Sequence, residues 1–285
     1  MNIDEACVGC IINQSVKVSD AIGASTTLAD KLQSSVQEMS TSFSFEMSPP
    51  EIAADVYQLM AQIAQKRDLY DEVKELSSKK ALSFVPFLKE ELASSTDKLL
   101  TATKIAVAGN VIDLAAEVEF DLSEEIASIF HTHFAHNDFE LLQQALTTAK
   151  DVVIIGDNVG EHIFDYLFIE TLKELYPNVN YSYMVRGVPI INDVTLKEAK
   201  EIGFDTLCNL VDSGVNTPGF TYNRANDQAQ KLFDNADIVI AKGMGNYECL
   251  SPTHRKNVCF LLKVKCNVVA SSLEKEVGNI VCKMV

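Results

Sequence analysis

The chain has 285 residues, 47% of them hydrophobic, enough for one large domain or two smaller ones around a full core. Its formal net charge of −16 at pH 7 argues against a nucleic-acid or anionic-membrane surface, though a local cation or a metal can still serve a phosphorylated ligand. No apolar run approaches the roughly 18–20 residues that span a bilayer, and the first residues lack the charged-then-apolar pattern of a secretion signal. Seven cysteines without a compact disulfide framework point to a reducing cytoplasm.

Residues 1–150 read as mostly helical. Cys7-Val8-Gly9-Cys10 opens a segment with apolar Ile11, Ile12, Val16 and Val18. Ser48-Pro49-Pro50-Glu51 is a helix start, with Ser48 as N-cap, prolines in the first turn and Glu51 completing a capping box. Behind it Ile52, Val56, Leu59, Met60 and Ile63 recur at helical spacing. Asp68-Leu69-Tyr70-Asp71 breaks that helix, and the next is expected over 71–84, with Pro86 marking its end. Ser95-Thr96-Asp97 caps a helix running through Ala108, followed by Gly109-Asn110.

From 151 the texture changes. Short apolar runs at Val152–Ile155, Val179–Val185, Thr206–Leu210, Ile238–Ala241, Val258–Val264 and Asn279–Met284 read as strands. Helical segments at 161–175, 194–202 and 223–235 separate several of them. The expected fold is α/β: a mainly parallel sheet flanked by helices, Rossmann-like α/β/α. A helical N-terminal subdomain over 1–105 precedes an α/β domain over 106–285.

Polar turns at the strand ends are where ligands gather in such sheets. Asp157-Asn158, after Val152–Ile155, offers a carboxylate and an amide oxygen, hard ligands suited to Mg²⁺ or Mn²⁺; the same pair is common in plain turns. Arg186-Gly187-Val188-Pro189-Ile190-Ile191-Asn192-Asp193 follows the next strand. Asp193 either caps a helix or joins Asp157 at the sheet edge, and Arg186 is a phosphate partner or a surface ion-pair residue. The loop from Asp212 to Gly219 lets backbone N–H groups approach an anion, or is simply a loop. Lys242-Gly243-Met244-Gly245-Asn246-Tyr247-Glu248 suits a phosphate-binding turn, although it lacks P-loop spacing. Lys263 and Lys265 stand in an otherwise apolar run and need a partner or water. Cys7 and Cys10 supply half of a structural zinc site, to be completed in space if at all. His131, His133 and His136 are poorly spaced for one helical face and read as part of a connector, and no G-x-S-x-G elbow supports a Ser-His-Asp hydrolase.

Four of these turns stand in one order: GDNVGE, RGVPIINDVT, DSGVNTPG and KGMGNYE. With Cys7-x-x-Cys10, Asp68-x-Tyr70-x-x-x-Lys74 and Ala108-Gly109-Asn110-Val111-Ile112-Asp113, they make a chain that resembles the DUF89 family of metal-dependent damage-control phosphatases, closest to its archaeal and bacterial branch. The resemblance implies a divalent metal (Mn, Mg, Co or Ni) held by Asp157, Asn158 and Asp193. It implies substrate contacts from Gly245, Asn246, Glu248 and Lys263, with Asn110 and Asp113 lining the same cleft. The implied activity is hydrolysis of small phosphorylated metabolites, among them sugar phosphates and phosphopantetheine-like compounds. Cys249 departs from the family pattern, where a small or hydroxyl residue is expected after KGxGNYE, and this bears on pocket shape.

The chemistry agrees with that implication. A phosphomonoester in so acidic a protein needs a local cation, and a metal at Asp157, Asn158 and Asp193 would polarise the phosphoryl oxygens. Lys263, with Arg186 or Lys242, would neutralise the remaining charge. A haloacid-dehalogenase-type phosphatase would want Asp-x-Asp where Asp157-Asn158-Val159 stands, and a dinucleotide enzyme would want G-x-G-x-x-G. The alternative of another class is a non-catalytic protein that binds metal and phosphometabolites on the same scaffold.

Overall fold

Val152 to Ile155 are all buried, and they alternate between two cores. Val152 and Ile154 join one face of a sheet and Val153 and Ile155 the other, which is why the run is continuously apolar. The computed structural model describes residues 1–109, 119–253 and 255–285. Its helices begin with α1 (Glu5–Ala21), α2 (Thr26–Ser40), α3 (Pro49–Ala64), α4 (Asp71–Ser94) and α5 (Lys98–Gly109). They continue with α6 (Glu119–His131), α7 (Phe139–Thr148), α8 (Glu161–Leu175), α9 (Leu196–Glu201) and α10 (Phe204–Leu207). The last three are α11 (Asp227–Asn235), α12 (Gly243–Leu250) and α13 (Asn267–Leu273). The strands are β1 (His136–Asn137), β2 (Asp151–Ile155), β3 (Asn180–Val185), β4 (Asn209–Asp212), β5 (Ile238–Lys242), β6 (Val258–Lys263) and β7 (Ile280–Met284).

The sheet has seven strands in the order β1-β7-β6-β5-β2-β3-β4. The β6–β7 pair is antiparallel and the other pairs are parallel. The chain winds outward from β2 through β3 to β4, then returns to lay β5 on the other side of β2. Ile155 is thus in register with both Met184 of β3 and Ala241 of β5. The strand order reverses between β2 and β5, and a ligand crevice opens at such a point beyond the carboxyl ends.

Helices α1, α2 and α3 enclose their own core, including Ile11, Val18, Leu32, Val36, Val56 and Met60, which Ile190 from the loop after β3 joins. Helix α3 starts as expected: Glu51 Oε2 accepts from Ser48 N at 3.0 Å and from Ser48 Oγ at 2.8 Å. Helices α4 and α5, which the expected boundary at 105 assigns to the helical part, contribute Ala81, Leu88, Leu99 and Ile105 to a core of the sheet. Among the described residues no helix is long and apolar enough to cross a membrane.

Three local expectations are corrected. Helix α4 does not stop before Pro86 but runs through it to Ser94. The proline removes one ladder bond, and Leu82, whose carbonyl loses its donor, lies at an exposed position where water can serve it. Ala81 and Leu88 bury the opposite face and hold the helix across the defect. Thr206–Leu210 is not one strand: α10 ends at Leu207 and only Asn209 onward pairs with β3. The glycine-rich stretch after β5 is not an open turn, because Gly243 opens α12 directly. The connector containing the three histidines also holds β1, two residues long and paired with β7.

Candidate functional site

The turn after β2 and the loop after β3 are stitched together by backbone. Gly156 N extends the β2–β3 ladder to Met184 O at 3.0 Å, and a Cβ on Gly156 would lie 2.4 Å from Tyr183 Oη, so glycine alone fits there. Val194 N donates to Asp157 O at 2.9 Å and Val159 N to Asn192 O at 2.8 Å. These bonds create an antiparallel bridge between Asn158 and Asp193, residues 35 positions apart in sequence, beside a parallel bridge between Arg186 and Thr195. The loop reaches this position through Ile191 at φ +45°, a left-handed conformation that a β-branched residue adopts only under tertiary constraint. Beyond it, Glu198 Oε2 accepts from Thr195 N at 2.9 Å and starts α9. Asp157, Asn158 and Asp193 therefore meet at the strand-order reversal.

Charge is arranged in two buried tiers. In the first, Arg186 Nε donates to Asp193 Oδ2 at 2.7 Å and Arg186 Nη2 lies 3.6 Å from Asp157 Oδ1. Arg186 is 1% exposed, so it is not a surface ion-pair residue, and its Nη1 and Nη2 have no hydrogen-bond partner among the described residues. In the second, Lys242 Nζ donates to Glu161 Oε1 at 2.6 Å, Asp165 Oδ1 at 2.5 Å and Ala106 O at 2.7 Å. Tyr183 Oη donates to the other oxygen of Asp165 at 2.9 Å. An ammonium has three donors and Lys242 has used them all, so the expectation that it neutralises substrate is corrected.

Among the described residues, the buried carboxylates of Asp157, Glu161, Asp165 and Asp193 are paired with buried Arg186 and Lys242, and buried Lys74 also acts on Asp193. Burial pushes Asp193 up to about 6, against the pull of Arg186. Burial also raises Asp157 well above the usual carboxylate range, with Glu161 and Asp193 adding to the effect. Two carboxylates with one amide oxygen are hard donors of the kind that hold a divalent cation. The residues present fit such an ion.

Asp157, Asn158 and Asp193 open into a cleft of about 860 Å³ between the helical cluster and the sheet. Gly245 and Glu248 of α12 line it too, and burial pushes the Glu248 carboxyl up to about 7. Asn246 does not reach the cleft. It is fully buried, accepts from Phe220 N at 2.8 Å and donates to Lys242 O at 2.5 Å and Gly156 O at 3.1 Å. Its role is to brace the backbone behind Asp157, which its polar type and place after a glycine did not distinguish from ligand binding. Lys263 pairs with Glu125 and is not among the cleft residues; Lys265, two residues further on, is. Asn110 and Asp113 lie outside the described residues.

Cys7, Cys10 and Cys266 line the same cleft, yet among the described residues no three His, Cys, Asp or Glu groups come together to hold a metal. A zinc site completed by a distant cysteine is therefore not formed. His131 and His133 are exposed and His136 hydrogen-bonds Asp138, away from the cleft. The sequence reading missed Glu161 and Asp165. Their i, i+4 spacing at the start of α8, just behind Asp157, was the available signal.

The model of the damage-control phosphatase ARMT1-like domain matches residues 3–281. The chain is 28% identical over 284 residues to damage-control phosphatase PH1575 of Pyrococcus horikoshii, covering 99% of this chain and 98% of the relative. It is also 28% identical over 291 residues to a damage-control phosphatase of Archaeoglobus fulgidus, covering 100% of each. The crystal structure of the DUF89 family protein PH1575 superposes with a TM-score of 0.90 at 26% identity, over 100% of this chain and 99% of the other.

Proposed function

Because the chain belongs to the damage-control phosphatase ARMT1-like domain family, we propose that its cleft hydrolyses small phosphomonoesters with a divalent metal held by Asp157, Asn158 and Asp193. The observation that supports this reading is that Asp157, Asn158 and Asp193, brought together across two loops by the Asn158–Asp193 bridge, line one cleft. A bound Mn, Mg, Co or Ni ion supplies Lewis acidity towards the phosphoryl oxygens and makes water a stronger nucleophile.

The chain's own residues do the rest. Arg186 fixes the orientation of Asp193 and, through it, the metal-facing edge of the loop. Lys265, partly exposed in the cleft that Lys17 also lines, is suited to face the remaining phosphate charge, the part that the sequence analysis gives to Lys263. Glu248, raised to about 7, carries a proton for much of the time near neutral pH and is suited to protonate the departing oxygen. Residues of the helical cluster, among them Ile11, Pro50 and Ala53, form one wall of the cleft. The cleft volume admits a sugar phosphate or a phosphopantetheine-like compound, and the net charge of −16 argues against a nucleic-acid ligand.

Metal analysis of the purified protein, with 4-nitrophenyl phosphate hydrolysis under added Mn²⁺, Mg²⁺, Co²⁺ or Ni²⁺, tests the reading. Activity should require metal and vanish in Asp157→Ala. Undiminished metal affinity in Asp193→Ala would sink the ligand assignment. Folded, metal-loaded protein that is inert on a broad phosphate-ester panel would instead favour the non-catalytic binding role.

A further inference from the structure

Lys74 of α4 is a buried cation that the proposed chemistry leaves unused. It is 1% exposed, and its Nζ donates to Asp68 Oδ2 at 2.9 Å. Asp68 is itself fixed at the head of α4, where its Oδ1 accepts from Tyr70 N at 2.9 Å. Leu69, the next residue, packs into the core of α1, α2 and α3. Lys74 is therefore anchored to the helical cluster on one side. On the other, its Nζ lies 3.8 Å from Glu198 Oε1 of α9, and Glu198 is buried too.

Glu198 extends this link to the loop that carries Asp193. Its second oxygen, Oε2, accepts from Thr195 N at 2.9 Å and from Thr195 Oγ1 at 2.6 Å. Burial pushes the Glu198 carboxyl up, but Lys74 and the Thr195 hydrogen bonds outweigh it and hold the group below its ordinary value. Thr195 pairs with Arg186 in the parallel bridge. Arg186 N donates to Val194 O at 3.0 Å, and Val194 N donates to Asp157 O at 2.9 Å. Lys74 thus connects, through Glu198, to the backbone that sets Asp157 and Asp193 side by side. A buried ion pair is seldom more stabilising than packed apolar side chains of the same volume, so stability alone does not account for an ammonium here.

We infer that Lys74 is a positioning residue for the proposed metal site: through Glu198 and Thr195 it holds the loop that carries Asp193 against the turn that carries Asp157. The inference rests on the metal-ligand reading above. In metal sites generally, removing an outer group that orients a ligand costs about 10–100-fold in metal affinity.

Hydrogen–deuterium exchange of the intact chain, with no metal added, tests the positioning. Val194 N and Val159 N are the donors that join the two loops. In Lys74→Met their exchange should quicken about tenfold relative to the Ile240 amide of β5, because the opening is local. Equal changes at all three amides, as a residue needed only for stability would give, or no change, overturn the inference. On a Glu198→Gln background the same substitution should add less than about twofold, since the route is already cut. A full tenfold addition there overturns the route through Glu198. Should Lys74→Met not fold, Asp68→Asn/Lys74→Met, which also removes a carboxylate left stranded, takes the same measurements. Calorimetric titration with Mn²⁺ reads the consequence: Kd should rise about 10–100-fold in the variant, and a wild-type Kd overturns the role at the metal. If the wild type binds no Mn²⁺, Mg²⁺, Co²⁺ or Ni²⁺, the metal reading is what fails, and the exchange rates still decide whether Lys74 positions the loop.

Discussion

The carboxylate of Asp157 occupies the space that a side chain on Gly243 would fill: a Cβ there would lie 1.8 Å from Asp157 Oδ2. Gly243 also sits at φ +75°, which a side chain disfavours. It opens α12 directly after β5, on the opposite side of β2 from the loop that carries Asp193. The close approach lets Asp157 lie in the crevice between the two halves of the sheet.

Gly243→Ala should therefore push Asp157 out of place. We expect phosphatase activity to fall about 100-fold or more, since misplacement by an ångström has effects of that size. The strained backbone should cost about 1–3 kcal/mol in folding. Kinetics and urea denaturation of the same preparation check both. Near-normal activity would mean that Asp157 need not sit against α12.

Lys242→Met would leave Glu161 and Asp165 facing each other without their ammonium. Breaking such a buried pair costs about 3–5 kcal/mol. Adding Glu161→Gln and Asp165→Asn should restore part of that loss, because the stranded charges go with it. Urea midpoints of the single and triple variants measure this. A single variant within about 1 kcal/mol of wild type would show that the tier is not structural.

Asn246→Ala removes the acceptor of Phe220 N and the donor to Lys242 O and Gly156 O, all buried. The expected loss is about 2–4 kcal/mol, from unsatisfied backbone groups. Metal affinity should weaken as well, since Gly156 precedes Asp157. Denaturation and metal titration read the two effects, and unchanged stability would return Asn246 to the list of ligand contacts.

His162 gives the stability a pH dependence. Burial holds it down at about 4, against an ordinary value of 6.5, and its Nδ1 accepts from Gly160 N at 3.0 Å. The folded chain keeps the ring neutral while the unfolded chain protonates it below 6.5. The stabilisation is complete above pH 6.5 and is lost as the pH falls towards 4, reaching roughly 3 kcal/mol there. His162→Gln should flatten that part of the curve of unfolding free energy against pH. An equal slope in variant and wild type would assign it to the carboxylates instead.

The sequence by itself determined the elements with strong local patterns. Continuous apolar runs from Val152, Ile238 and Val258 had to be strands buried on both faces, and Ser48 to Glu51 had to start a helix, because each signal is complete within a few residues. It also marked Asp157, Asn158 and Asp193 as polar groups at strand ends. Tertiary structure alone decided which polar residues face the cleft. Lys242, Asn246 and Arg186 carry the same chemistry as ligand-binding side chains, yet packing from α5, α8 and the loop after β4 encloses them. Pro86 likewise reads as a helix stop locally, and only burial of the neighbouring face overrides it. The physical reason is the same in each case. Backbone preferences act over a few residues, whereas burial and charge balance depend on partners brought in from 26 to 136 positions away. Gly243 shows both parts: its sequence announced a tight turn, and the fold revealed that Asp157 fills the space where its side chain would be.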